Sequence, residues 1–423
     1  MAPLNIVIVG AGTAGPAAAI GLAGNGHRVT IYERSTTGQE VGYAFRLTPN
    51  SDRCPKHLGI DTVGGGAVAA NRARIFNSHG ELLREANENT DPEMAKKATS
   101  VFAYRPQLVK QLMDAALSSG VQIETGVKVT SVDVDNTSLT LDSGATVSAD
   151  LIIGADGVHS AIRPAIIDCT KHFPKRTANQ NAIRFMLPRS VVQNDPTMSS
   201  LVSDELTMFS WIEGSIINIV YPVDHGKLFN VTINHPAHLS DKEADKEQDN
   251  ATATSYNHKV SFETVRDVHK GWDPRAIRLL ELADPEGFRI WQLMDMDELP
   301  RCSRNYTALL GDACHPVLPH SFSGASMAIE DAITLSEFLE RDVERKEIPG
   351  LLKLCEDVRK PRVARVRERA RQTAEGTGGE GRAEYMQFLA GHDAVQFAKE
   401  RLAEYKRKRS QMRTGKQEEQ TQL

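Results

Sequence analysis

Three glycines spaced as Gly10-x-Gly12-x-x-Gly15 follow the apolar run Asn5–Val9, and this spacing suits the cradling of a pyrophosphate. The first glycine permits a tight turn. The second lets the backbone approach the phosphates, and the third lets helix and strand pack closely. A helix starting here presents oriented N–H groups to an anion. Glu33 ends the next apolar run, where its carboxylate can bind both hydroxyls of an adenosine ribose, with Arg34 as a neighbouring contact. A tight glycine turn without a ligand would not need this agreement of strand, loop, helix and acidic strand end. The motif alone does not separate FAD from NAD.

A second constellation lies about 300 residues on. Gly311-Asp312 closes another apolar run and places a carboxylate at a strand end, where it can accept a hydrogen bond from a polyol hydroxyl. Asp312 alone also fits a turn cap. Pro319 and the pair Gly324-Ala325 leave room for a broad planar ring to approach the backbone. A helix beginning at Gly324 directs positive dipole density at an anion. His320 carries a titratable ring beside this segment, and a structural hydrogen bond is the competing reading.

Three ordered stretches carry a resemblance. They are Leu151-Ile-Ile-Gly-Ala-Asp-Gly-Val-His-Ser160 with Ile162-Arg163, Leu309-Leu-Gly-Asp-Ala-Cys-His-Pro-Val-Leu-Pro319, and Gly324-Ala-Ser-Met-Ala-Ile-Glu-Asp-Ala332. Over about residues 5–370 the chain resembles the single-component FAD monooxygenases of the salicylate-hydroxylase and para-hydroxybenzoate-hydroxylase type. The resemblance implies FAD, with NADPH or NADH as reductant and O₂ as co-substrate. It implies hydroxylation of an aromatic or phenolic molecule through a flavin C4a-hydroperoxide. It also implies that Arg105 contacts FAD near the pyrophosphate, that Asp156 organises the cofactor region, and that Arg184 occupies a basic position able to pair with a phenolate or carboxylate. His320 departs from the family, whose members often carry an aromatic or small residue after the matching proline, and its ring could deprotonate a phenol or orient a carboxylate near the flavin. Arg184 in a plain strand-edge ion pair is an equal alternative.

Several positions depart from the family pattern. Tyr43, Ala44 and Phe45 replace smaller residues within Glu40–Asn50, Phe322-Ser323 stands for a common Gly-Gln, and Ser326 replaces a common Asn. These changes leave room for a second reading, epoxidation or dearomatising hydroxylation of a fused-ring secondary metabolite. A flavin-binding protein without turnover is a third. Phe209, Trp211 and Tyr221 either line an aromatic-binding wall or fill a core, since alternation does not choose the face.

The elements that must position these groups follow from pattern. Asn5–Val9, a helix over about 13–24 and Arg28–Tyr32 make a βαβ opening. Ser138–Leu141 and Val147–Ser148 read as a hairpin around Asp142–Thr146. Asn181–Leu187, Leu206–Ile212, Ser215–Pro222 and Leu228–Asn234 read as an antiparallel sheet, with the charged stretch 241–254 as an exposed loop. The fold expected is α/β: an FAD/NAD(P)-binding Rossmann-like domain with an inserted antiparallel-sheet substrate domain and C-terminal helices. Its parts are 1–177 with 300–345, the insert 178–299, helices over 346–408 and a polar tail 409–423.

Charge narrows the partners. The 50 basic and 55 acidic residues leave a formal net charge of −5, which argues against a nucleic-acid partner. No apolar run approaches the roughly 20 residues of a membrane span, and the N-terminal run reads as a strand rather than a leader. A cytoplasmic monomer or homodimer without a membrane anchor is the expectation. The five cysteines lack metal-ligand spacing and read as buried free thiols, so no metal is expected.

Overall fold

The computed structural model describes residues 2–36, 43–87, 100–169, 171–199, 202, 206–241, 256–377 and 381–421. The stretch 241–254, apart from Asp241, and Glu40–Gly42 lie outside them.

Asn5–Val9 is apolar on both faces because it is covered on both faces, as a central parallel strand must be. It pairs in parallel with Arg28–Glu33 on one side and Leu151–Gly154 on the other. Gln122–Thr125 and Thr307–Leu309 extend the sheet outward, and Ser303–Arg304 closes one edge antiparallel. The Ala-rich helix Ala14–Gly24 has side chains small enough to pack closely on helix Gly324–Phe338. Their apolar residues share one core with the helix Arg105–Ser118.

The second layer is an eight-stranded sheet in the order 256–259, 289–292, 180–188, 228–236, 216–223, 207–213, 72–77, 82–87. Its centre is antiparallel. Arg72–Asn77 joins in parallel to Thr207–Glu213 and brings Leu82–Asn87 with it, so chain from within 1–177 completes this sheet. One face carries Ile183, Phe185, Trp211, Val231 and Ile233, which pack with Val265, Leu279 and Phe288. The opposite face turns toward the nucleotide domain.

The hairpin Ser138–Leu141/Thr146–Ser148 is present, with Thr146 paired to Thr140 in the strand and not in the turn. The C-terminal region is helical over Ile348–Ala374, Arg382–Ala390 and Ala394–Thr421, so helix continues through most of the stretch read as a polar tail. One expectation is corrected. Cys302 and Cys314 form a disulfide with Cα atoms 5.9 Å apart, whereas Cys54, Cys169 and Cys355 are free thiols. The tight return of Thr307–Leu309 on Ser303–Arg304, with Leu309 N–H bonded to Cys302 C=O, brings two positions 12 residues apart together. Spacing alone does not show such a return.

Candidate active site

The carboxyl ends of four parallel strands lie side by side, and this brings Gly10, Glu33, Asp156 and Asp312 to one crevice. Gly10 has φ of 104°, and a Cβ there would lie 2.5 Å from the Ala155 carbonyl oxygen. A Cβ on Gly15 would lie 2.0 Å from the Gly10 carbonyl oxygen, so only glycine lets the helix seat on the turn. At Gly12 a Cβ would meet nothing within 4 Å. The second glycine therefore faces open ground, as backbone approached by a phosphate must. Glu33 accepts the Ala11 N–H at 2.7 Å and the Ser35 N–H at 2.8 Å, which fixes its carboxylate beside the loop. Arg34 is exposed beside it.

Asp312 is solvent-accessible yet enclosed by protein mass, the position of a side chain on a crevice wall. Its enclosure pushes its pKa up, against the pull of His315, Arg105 and Arg163. Arg105, the first residue of its helix, is thus brought to the same crevice. Asp156 Oδ2 accepts the N–H groups of Ala161 at 2.7 Å and Ile162 at 3.3 Å, while Oδ1 is buried with no protein partner. Burial raises its pKa too, with the bonds it accepts pulling the other way.

Two residues absent from the sequence reading of the site hold these loops together. Arg163, 3% exposed, donates to the carbonyls of Ala313 and Val158 at 2.7 Å and of Asp312 at 3.2 Å. Asp331 anchors Gly311 from helix Gly324–Phe338. Both sit inside the quoted motifs, but a motif match does not say which of its residues reach back to the turn. The open ground at Gly12, the orphaned Asp156 Oδ1 and the crevice-wall carboxyl of Asp312 fit the pyrophosphate and polyol of FAD.

The sheet face across the crevice carries Gln180, Ala182, Arg184 and Met186 on one strand and Asn230, Thr232 and Asn234 on its neighbour, with Arg184 opposite Thr232. The Arg184 guanidinium lies over the Trp291 ring at 5.0 Å, and Tyr43 meets Trp291 edge-on at 6.1 Å. Burial pushes the Tyr43 hydroxyl up to about 12, against Arg289 and Arg184. Tyr221 stacks on Phe102 at 4.5 Å farther along this face. Phe209 and Trp211 are not wall residues. Both lie in the core on the opposite face, where Trp211 Nε1 donates to Asp273 Oδ2 at 2.7 Å and its ring stacks on Phe76. Odd-numbered positions of Thr207–Glu213 point away from the crevice.

The sequence pattern of the family described as "FAD binding domain" matches residues 4–370, most of the chain. This chain belongs to the family of single-component FAD-dependent aromatic hydroxylases and monooxygenases. It is 31% identical to FAD-dependent monooxygenase atnJ of Arthrinium sp over 370 residues, covering 86% of this chain and 83% of the relative. It is 30% identical to hispidin-3-hydroxylase of Neonothopanus nambi, covering 85% and 86%. In fold it is similar to CtdE in complex with FAD and substrate (TM-score 0.78, 21% identity, 93% of this chain and 97% of that one). Salicylate hydroxylase gives a TM-score of 0.75 at 22% identity, with 94% and 97% covered.

In this monooxygenase-family chain, Pro319, His320 and Ser321 form a short turn leading into Gly324 and Ala325 at the helix start. His320 Nε2 lies 2.7 Å from Gln180 Oε1, and the Gln180 amide donates to the Ala374 carbonyl at 3.2 Å. That second bond orients the amide, so His320 carries its proton on Nε2. Nδ1 is then an acceptor, buried without a protein partner, and burial holds the ring pKa down at about 4. His320 and Arg184 share the crevice side of one strand through Gln180, with Ala182 and its packing against Leu318 between them. His315 is structural, its Nε2 2.5 Å from Asp331 Oδ2. Among the described residues no helix is long and apolar enough to cross a membrane, and no group of metal-ligating side chains occurs.

Proposed function

We propose that this chain is an NAD(P)H-consuming FAD monooxygenase that hydroxylates a phenolic or similarly electron-rich aromatic molecule. The observation that carries the reading is the box of Arg184, Trp291 and Tyr43 on the sheet face opposite the FAD crevice. A planar anion fits a guanidinium set among aromatic walls, because the cation holds the oxygen while the rings contact the flat apolar face. The names of the relatives, among them hispidin-3-hydroxylase and 6-hydroxynicotinate 3-monooxygenase, support this substrate class.

When bound, FAD supplies hydride acceptance from NADPH or NADH and activation of O₂. The protein's own groups bind and orient. Gly12 and the helix start at Ala14 receive the phosphates, Glu33 the ribose and Asp312 the polyol. Arg184 fixes the substrate oxygen and so the ring position presented to the flavin. Neutral His320 offers Nδ1 as acceptor for a phenolic proton, in the tautomer that Gln180 sets. The aromatic box excludes water from the reacting ring.

The test is turnover of FAD-loaded protein with NADPH and NADH across aromatic acids, phenols and fused-ring phenols, with Arg184→Ala and His320→Phe alongside. The reading expects substrate-stimulated reductant oxidation, a raised KM or poorer coupling in the first variant and a changed pH–rate profile in the second. Stable FAD binding with no turnover on any ring would contradict it.

A further inference from the structure

Asn234 is 5% exposed, and its Oδ1 is buried with no protein partner. Asn230 Oδ1 on the same strand is also unmatched, but that side chain is wholly buried and its Nδ2 donates to Thr232 Oγ1 at 3.2 Å, while three other buried amides of the sheet are fully engaged. Asn181 donates to Ser240 at 2.9 Å, Asn218 pairs with His269 at 2.7 Å and Gln180 pairs with His320. Leaving such a group unmatched costs about 1–3 kcal/mol, which an apolar residue would avoid.

Position says what the amide faces. Val231 and Ile233 belong to the core on the far side of the sheet, so Asn234 lies on the crevice side with Thr232. In register Asn234 stands opposite Ala182 and Thr232 opposite Arg184, so Asn234 is the diagonal neighbour of Arg184. Diagonal neighbours lie roughly 7–8 Å apart, the span of one substituted aromatic ring. On its other side Asn234 faces Ile217, which offers no polar partner.

We infer that Asn234 reads a free hydroxyl group on the substrate, set across the ring from the oxygen that Arg184 holds. This rests on the aromatic substrate proposed above. A hydroxyl both donates and accepts, so it satisfies the amide whichever end faces it. A ring hydrogen leaves the amide unmatched, and a methyl ether has no proton to donate. The substrate class is therefore an aromatic with one anionic oxygen and a second, unmethylated hydroxyl.

The test uses FAD-loaded enzyme and two matched pairs: 2,4-dihydroxybenzoate with 2-hydroxybenzoate, and 2,7-dihydroxynaphthalene with 2-naphthol. Binding is read from perturbation of the flavin absorbance, and product separately. In the natural protein at least one pair should favour the dihydroxy member about 10-fold or more. Asn234→Leu should collapse that ratio to within about threefold, and Asn234→Thr should restore part of it, with FAD content confirming the fold of both. No preference in either pair, or a preference that survives in Asn234→Leu, overturns the inference. Hydroxyl-dependent binding without oxygenated product would leave Asn234 as the reader and count against the monooxygenase reading instead.

Discussion

Asp331 Oδ2 accepts the backbone N–H of Gly311 at 3.0 Å, and this bond sets the turn that presents Asp312 to the FAD crevice. Asp331 is itself held by Arg359 Nε at 2.7 Å and is 3% exposed. Burial would raise its pKa, but His315 and Arg359 more than offset this, and the carboxyl lies below the usual range. The two neighbouring carboxylates thus differ in kind. Asp312→Ala should weaken FAD retention about 10-fold, from one lost hydrogen bond, with little change in apo-protein Tm. Asp331→Ala should lower both, because it leaves the Gly311 N–H unmet and removes one of the two carboxylates on buried Arg359, which keeps Glu330, at a cost of about 1–3 kcal/mol. Flavin titration and thermal melts of the two apo-proteins check the contrast.

The glycine motif predicts a similar separation. Gly12→Ala adds a Cβ that meets nothing within 4 Å, so the protein should fold with unchanged apo Tm and bind FAD at least about 10-fold more weakly. Gly15→Ala places a Cβ 2.0 Å from the Gly10 carbonyl and should destabilise the apo-protein as well. Equal behaviour of the two variants would contradict the assignment.

Much of this was legible in the sequence, and the limits have physical causes. The Rossmann-like opening is readable because Asn5–Val9, the glycine loop and Glu33 obey local rules of strand, turn and helix. Arg72–Asn77 and Leu82–Asn87 were not readable as part of the second sheet, since their pairing to Thr207–Glu213 is set by contacts far along the chain. Alternation shows that Trp211 and Tyr221 lie on strands, but not which face is covered. Only the packing of Val265, Leu279 and Phe288 decides that Trp211 is core. Trp291 and Asn234 carry no motif. Their roles arise from register with Ala182, which no short-range pattern reports.

The two faces of the sheet should separate in mutagenesis. Trp211→Phe removes the bond to Asp273 and leaves a small void, costing about 2–3 kcal/mol with KM unchanged. Arg184→Ala should leave Tm nearly unchanged while raising KM or spending reductant without product. Urea melts and steady-state kinetics on both proteins check the split.

Stability should also fall as pH drops below about 6.5. His235 and His269 are buried, and burial lowers each to about 4 against the ordinary value of 6.5. Between these values the unfolded chain binds more protons than the folded one, so stability rises with pH through the window and levels off above it. Tm measured from pH 4 to 8 should show this. His269→Gln, which keeps polar contact with Asn218 without titrating, should flatten the slope.

The most direct test of the central claim is turnover under ¹⁸O₂, with product mass and reductant consumption recorded in the same reaction. The account predicts one labelled oxygen in an aromatic product, with reductant consumed in step. A product free of label would contradict it and make the protein an oxidase or dehydrogenase.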